Sequence, residues 1–131
     1  MSRSGYSEEL DNWELIRWRG AVKAGIRGKR GQALLTELAD SMDKMRVKSL
    51  IAHALEADGE YCALGVVGNA RGIDMSNLDP DESTDIAKAF NISEALAMEI
   101  VYLNDEWCPY RDEAPSGRWV RMRSWVENNI I

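Results

Sequence analysis

Apolar residues recur along this chain at the three- and four-residue spacing of helices, in blocks separated by glycine, proline and small polar residues. Leu15, Trp18, Val22 and Ile26 share one stripe, which predicts a first helix from about 8 to 27. Ser7, ahead of Glu8 and Glu9, is placed to cap it, because a serine oxygen accepts from free amide donors and acids suit the positive helix end. Gly28 and Gly31 bracket Lys29 and Arg30 as a breaker, and a second helix follows over about 31 to 45. Leu34, Leu35, Leu38, Met42 and Met45 fill one face of it, with Glu37, Asp40 and Asp43 elsewhere. The two helices are expected to pack as an antiparallel hairpin.

Residues 48 to 63 read two ways. Leu50, Ile51, Ala54 and Leu55 suit a short helix capped by Gly59, whereas Asp58-Gly59 between apolar residues suits a tight β-hairpin turn, the reading we favour. From Cys62 to Gly72, small and branched apolar residues predict a buried helix whose glycines admit close neighbours. Residues 74 to 85 form a loop around Pro80, feeding a helix from about 82 to 90. Ser93 then caps a helix that buries Leu96, Ala97, Ile100 and Leu103 and ends near Asp105. Pro109, Pro115 and Gly117 mark an exposed connection, after which Ser116 is expected to cap a last helix reaching about 128, with Trp119, Met122, Val126 and Ile130 on its inner stripe. The predicted fold is mainly α, a compact bundle of five or six helices with one small β-hairpin near 51 to 63. Residues 1 to 6 are expected to be a flexible arm and residues 7 to 131 a single domain.

A chain of 131 residues can bury a core without disulfides or a metal. Its formal charge of -6 argues against a surface that binds nucleic acid everywhere, yet leaves room for a local basic patch. Uncharged apolar stretches fall far short of the roughly 20 residues that span a bilayer, and the first ten residues have no apolar core for export, so a cytoplasmic protein without membrane contact is expected. Cys62 and Cys108 lack the paired spacing of a metal or redox site and are expected to be reduced.

Reactive motifs are weak. Gly65, Gly68 and Gly72 match neither a dinucleotide fingerprint nor a phosphate loop, and His53 stands alone. Asp105 with Glu106, and Asp112 with Glu113, lack a third ligand for a cation. No catalytic residue, metal site or cofactor is implied.

Charge segregation is the strongest local signal. Six bases and no acid lie between Arg17 and Arg30, against five acids and no base in 74 to 85. Such blocks are usually solvated faces or pair with each other across the fold, the alternatives being a docking surface for a protein partner and phosphate binding at the glycine-flanked bases. One candidate surface is the acidic loop, Asp74, Asp79, Asp81, Glu82 and Asp85, whose field matches a positively charged groove on a protein partner. The other is basic, Arg19, Lys23, Arg27, Lys29 and Arg30, with Trp13 as a stacking residue for nucleic acid. Trp18 and Trp119 lie on core stripes, whereas Trp13 and Trp125 fall off them and read two ways, exposed at an interface or buried under another helix.

The segments SRSGYSEELDNWELIRWRGAV, IRGKRGQALL, DGEYCALGVVGNARGIDMSNLDP, IVYLNDEW and RWVRMRSWV resemble a family of small proteins encoded by phages and prophages of proteobacteria. The similarity covers almost the whole chain and carries no catalytic residue with it. It implies a phage gene product working in the bacterial cytoplasm. The expected function is that of a non-enzymatic accessory protein that binds a host or phage macromolecule, such as an inhibitor of a CRISPR-type defence system. A nucleic-acid-binding protein using the basic segment and a small enzyme are the alternatives.

Overall fold

The computed structural model describes residues 12–106 and 113–131. Among them are six helices, α1 (Asn12–Arg27), α2 (Lys29–Asp43), α3 (Ala63–Arg71), α4 (Ser83–Phe90), α5 (Glu94–Asp105) and α6 (Pro115–Asn129). A two-stranded antiparallel sheet, β1 (Glu56–Ala57) and β2 (Glu60–Tyr61), pairs Glu56 with Tyr61 and Ala57 with Glu60. The fold is therefore mainly α with one small hairpin. The expected arm at 1 to 6, the Ser7 cap, Cys108 and Asp112 lie outside the described residues.

Two helices form the centre. α2 touches α1, α3 and α6, and α5 touches α1, α3, α4 and α6. Leu34, Leu35, Leu38 and Met42 line the inner face of α2 with no solvent exposure, each worth roughly 1.5–3 kcal/mol of transfer free energy. Phe90, Leu96, Ile100 and Met122 close the core from α4, α5 and α6. Gly68 in α3 lies against the thioether of Met75, so the absent side chain there is filled by a neighbour.

The joint between α1 and α2 is tighter than the sequence implies. Gly28 alone separates them, and α2 starts at Lys29 rather than 31. The backbones meet at Gly25 and Gly31, where a Cβ on Gly31 would overlap the Gly25 carbonyl. α1 also packs on the start of α5, with Gly25 beside Ser93 and Leu96. The pair is thus no self-contained hairpin, because α5 shares the inner face of α1.

The hairpin resolves the ambiguity at 48 to 63. Asp58 and Gly59 both have positive φ, 53° and 78°, as a two-residue turn between twisted strands requires. Cys62 accepts from the Gly65 amide and caps α3, and Ser93 accepts from Leu96 and caps α5. The expected Ser116 cap is corrected. Pro115 occupies the first turn of α6 after Ala114, where a missing N–H costs nothing, so Ser116 already lies inside the helix.

Candidate functional site

The outer face of α1 is the most unusual surface. At 3.6 residues per turn, Trp13, Ile16, Arg17, Gly20, Ala24 and Arg27 share an arc opposite the buried Val22 and Ile26. Trp13 is 72% exposed and Ile16 is 61% exposed, both large apolar side chains left in water. Gly20 between them and Ala24 has nothing within 4 Å of where a Cβ would stand, so the arc has an open centre. Lys23 borders it, and Lys29 and Arg30 continue the positive charge into α2.

These cations differ from most of the rest. Several basic side chains elsewhere are matched: Arg71 with Glu37 at 2.6 Å, Arg123 with Asp43 at 2.9 Å, Arg121 with Glu113 at 2.7 Å and Lys44 with Asp40 at 2.9 Å, while the exposed Arg46 and Lys88 lie singly on other parts of the surface. Among the described residues Arg17, Lys23, Arg27 and Lys29 have no such partner, and Arg30 reaches only the neutral Asn91, at 3.4 Å. Arg19 is exposed but stands by Glu99 of α5, whose carboxyl burial pushes up while the nearby guanidinium opposes that shift. The basic block and the 74 to 85 acids therefore form no ion pair with each other among the described residues.

The first turn of α2 sharpens the local field. It contains no acid, and its Gly28 cap supplies no side-chain oxygen. Lys29 and Arg30 there oppose the helix dipole, an arrangement costing about 0.3–1 kcal/mol per charge in the free protein. Arg30 also borders a shallow depression of about 350 Å³ shared with Thr84, Lys88, Asn91 and Glu94.

The acidic loop is more committed. Asp74 accepts from both the hydroxyl and the amide of Ser76, at 2.7 and 3.0 Å, which holds its carboxyl below the usual range. Asp79 accepts from the amide of Asp81 at 2.9 Å. Both carboxylates fasten turns. Asp81, Glu82 and Asp85 are exposed on this framework, Glu82 just before α4 and Asp85 within its first turn.

Other sequence candidates have structural roles. Cys62 is buried and its thiol is pushed up to about 12 by burial, which leaves it un-ionised at neutral pH. Asp105 accepts from the His53 amide and from Asn104, and Glu113 is held below its ordinary value by the Arg121 guanidinium. His53 is exposed. No group of three or more metal-binding side chains converges among the described residues. No described helix is long and apolar enough to cross a membrane. Of the two off-stripe tryptophans, Trp13 is exposed and Trp125 is half-buried and packs on the core.

Three features escaped the sequence reading. Ile16 and Arg17 belong to the α1 arc, a position readable from their angular offset from Leu15, Trp18 and Val22. Asn104, only 2% exposed, bridges three segments by accepting from Ala63 and donating to Ile51. A groove of about 650 Å³ runs between the end of α2, the hairpin and α3, over Met45, Tyr61 and Val66. Its Glu37 and Asp40 are engaged by Arg71 and Lys44, so no free acid pair faces it from α2. Compared with known proteins, the chain matches no family model, no curated protein and no solved structure.

Proposed function

We propose that this chain is a non-enzymatic accessory protein that binds a macromolecule through the outer face of α1 and the start of α2. One observation carries the reading: unmatched cations and two large exposed apolar side chains share one helix face, whereas Arg71, Arg121 and Arg123 on other helices have acids beside them. Desolvating Trp13 and Ile16 supplies apolar free energy, and the cations select an anionic surface. In line with the phage resemblance, the partner belongs to the host or the phage, and inhibition of a bacterial defence complex is the role that fits. The test is affinity capture from infected cells with the parent chain and with Arg17→Glu/Lys23→Glu/Arg27→Glu, scoring what is retained by mass spectrometry and nuclease treatment. Equal retention by both chains would sink the proposal.

A second reading rests on the acidic loop. Its turns are fastened by Asp74 and Asp79, so Asp81, Glu82 and Asp85 stand in fixed places from which to occupy a basic groove on a protein. Under this reading Asp81→Asn/Glu82→Gln/Asp85→Asn abolishes capture and the α1 substitutions do not.

A further inference from the structure

We infer that the α1 face takes single-stranded nucleic acid, with Trp13 as the stacking platform; this rests on the α1 reading above. The arc from Trp13 to Arg27 is about 21 Å long at 1.5 Å per residue, enough for several nucleotides. Trp13 and Ile16 lie one turn apart at its beginning and form an apolar platform for an unpaired base, while Arg17 projects beside them toward the adjoining phosphate. Farther along, Gly20 and Ala24 leave room for the sugar-phosphate chain to lie close to the helix. Lys23 and Arg27 continue the positive track to the Gly28 joint, and Lys29 and Arg30 follow just past it, Arg30 reaching toward Asn91.

Charge excludes the simplest competitor. A second copy seated on this face would bring two sets of unmatched cations together, and Gly20 and Ala24 supply too little side chain to outweigh their repulsion. Duplex DNA or RNA fits less well, because its bases are already stacked and Trp13 and Ile16 would meet only sugar and phosphate. A chain of net charge -6 repels nucleic acid as a whole, so binding is confined to a local concentration of cations such as this track.

The experiment titrates the full chain against fluorescently labelled oligothymidylate and oligouridylate, with a self-complementary duplex as comparison, over a range of salt. Five cations, Arg17, Lys23, Arg27, Lys29 and Arg30, give a slope of about -3.5 in log affinity against log salt, about 0.7 for each single-strand phosphate neutralised. Each cation changed to glutamine lowers that slope by about 0.7. Trp13→Ala weakens binding roughly 5- to 150-fold and Trp13→Phe restores most of it, because any aromatic ring stacks. Trp13 is exposed, so the melting temperature of both variants stays at the parent value. A preference for oligouridylate assigns RNA, and the reverse assigns DNA.

Absence of binding at low salt, stronger binding to the duplex, or equal affinity of Trp13→Ala and the parent would each overturn the inference. So would displacement of the oligonucleotide by polyglutamate as readily as by unlabelled oligonucleotide, which would assign the face to an acidic protein segment. If oligonucleotides fail but cell capture still depends on Arg17, Lys23 and Arg27, this inference falls and the broader α1 reading stands. Capture indifferent to those residues removes both.

Discussion

Asn104→Asp keeps the shape of the side chain while changing one hydrogen-bond donor into an acceptor. In the parent, Asn104 Oδ1 accepts from the Ala63 amide at 3.1 Å, and Nδ2 donates to the Ile51 carbonyl at 2.9 Å and to Asp105 Oδ1 at 2.8 Å. The substitution preserves the first bond and turns the other two into oxygen facing oxygen. Leaving the Ile51 carbonyl without its donor costs about 1–3 kcal/mol. Two carboxylates at adjoining positions add repulsion of similar size at the effective dielectric of a partly buried site, so the total loss near neutral pH is about 3–5 kcal/mol. That is a large share of the roughly 5–15 kcal/mol stabilising a small domain. The sign of the pH dependence follows from the same geometry. Burial and Asp105 raise the folded-state pKa of the introduced carboxyl, so the penalty is full above that value and shrinks as pH falls toward the unfolded value near ~4. Once protonated, the new group can again donate to Ile51. Urea unfolding of parent and variant across this pH range reads the effect. A variant with the parent midpoint at neutral pH, or a penalty that grows on acidification, would refute the reasoning.

Three further outcomes follow from the packing. Gly20→Ala meets open space and gains about 0.5–1 kcal/mol of helix stability, whereas Gly65→Ala places a Cβ against the Leu55 backbone and 3.1 Å from the Tyr61 Cβ, costing roughly 1–3 kcal/mol; urea midpoints should move in opposite directions. Glu99→Gln stabilises the protein at neutral pH. Burial raises the Glu99 carboxyl above its ordinary 4.5, so the folded state carries a penalty for the charged form above that raised value, and the gain disappears in melts run below the ordinary value. Cys62 resists iodoacetamide in the folded protein at neutral pH and reacts once urea unfolds it; peptide mapping of a rapidly labelled Cys62 in the native state would contradict its burial.

Helix positions were legible wherever one face alone met the core. The stripe of α2 identified Leu34, Leu35, Leu38 and Met42, although the helix ends at Asp43 and leaves Met45 half-buried beyond it; that of α5 identified Leu96, Ala97, Ile100 and Leu103 but not Val101, and Ser93 announced its helix because a cap is a local device. The hairpin was legible from Asp58-Gly59, where the turn itself demands unusual backbone angles. The Ser116 cap failed because Pro115 competes for the same helix start and wins on its fixed φ. Trp13 and Trp125 could not be told apart, because a position off the core stripe says nothing of how far a large ring reaches sideways to the core. The α1 site was half visible. Its charges could be counted, but their lack of acid partners depends on where Glu37, Asp43 and Glu113 end up, and those pairings join segments up to 80 residues apart. Asn104 was invisible for a similar reason, since its partners are separated from it by 41 and 53 positions.

Gln32 gives the α1 face a mechanical foundation. Its amide donates to the Ile26 carbonyl at 2.8 Å and to the Asn129 carbonyl at 3.0 Å, and its oxygen accepts from the Ile131 amide at 3.0 Å. The end of α1 and the end of α6 are thereby clamped to one residue in the first turn of α2. Strain applied anywhere along α1 is therefore shared with α2 and with the far end of the described fold, so loss of the Gln32 amide would loosen both helix ends together.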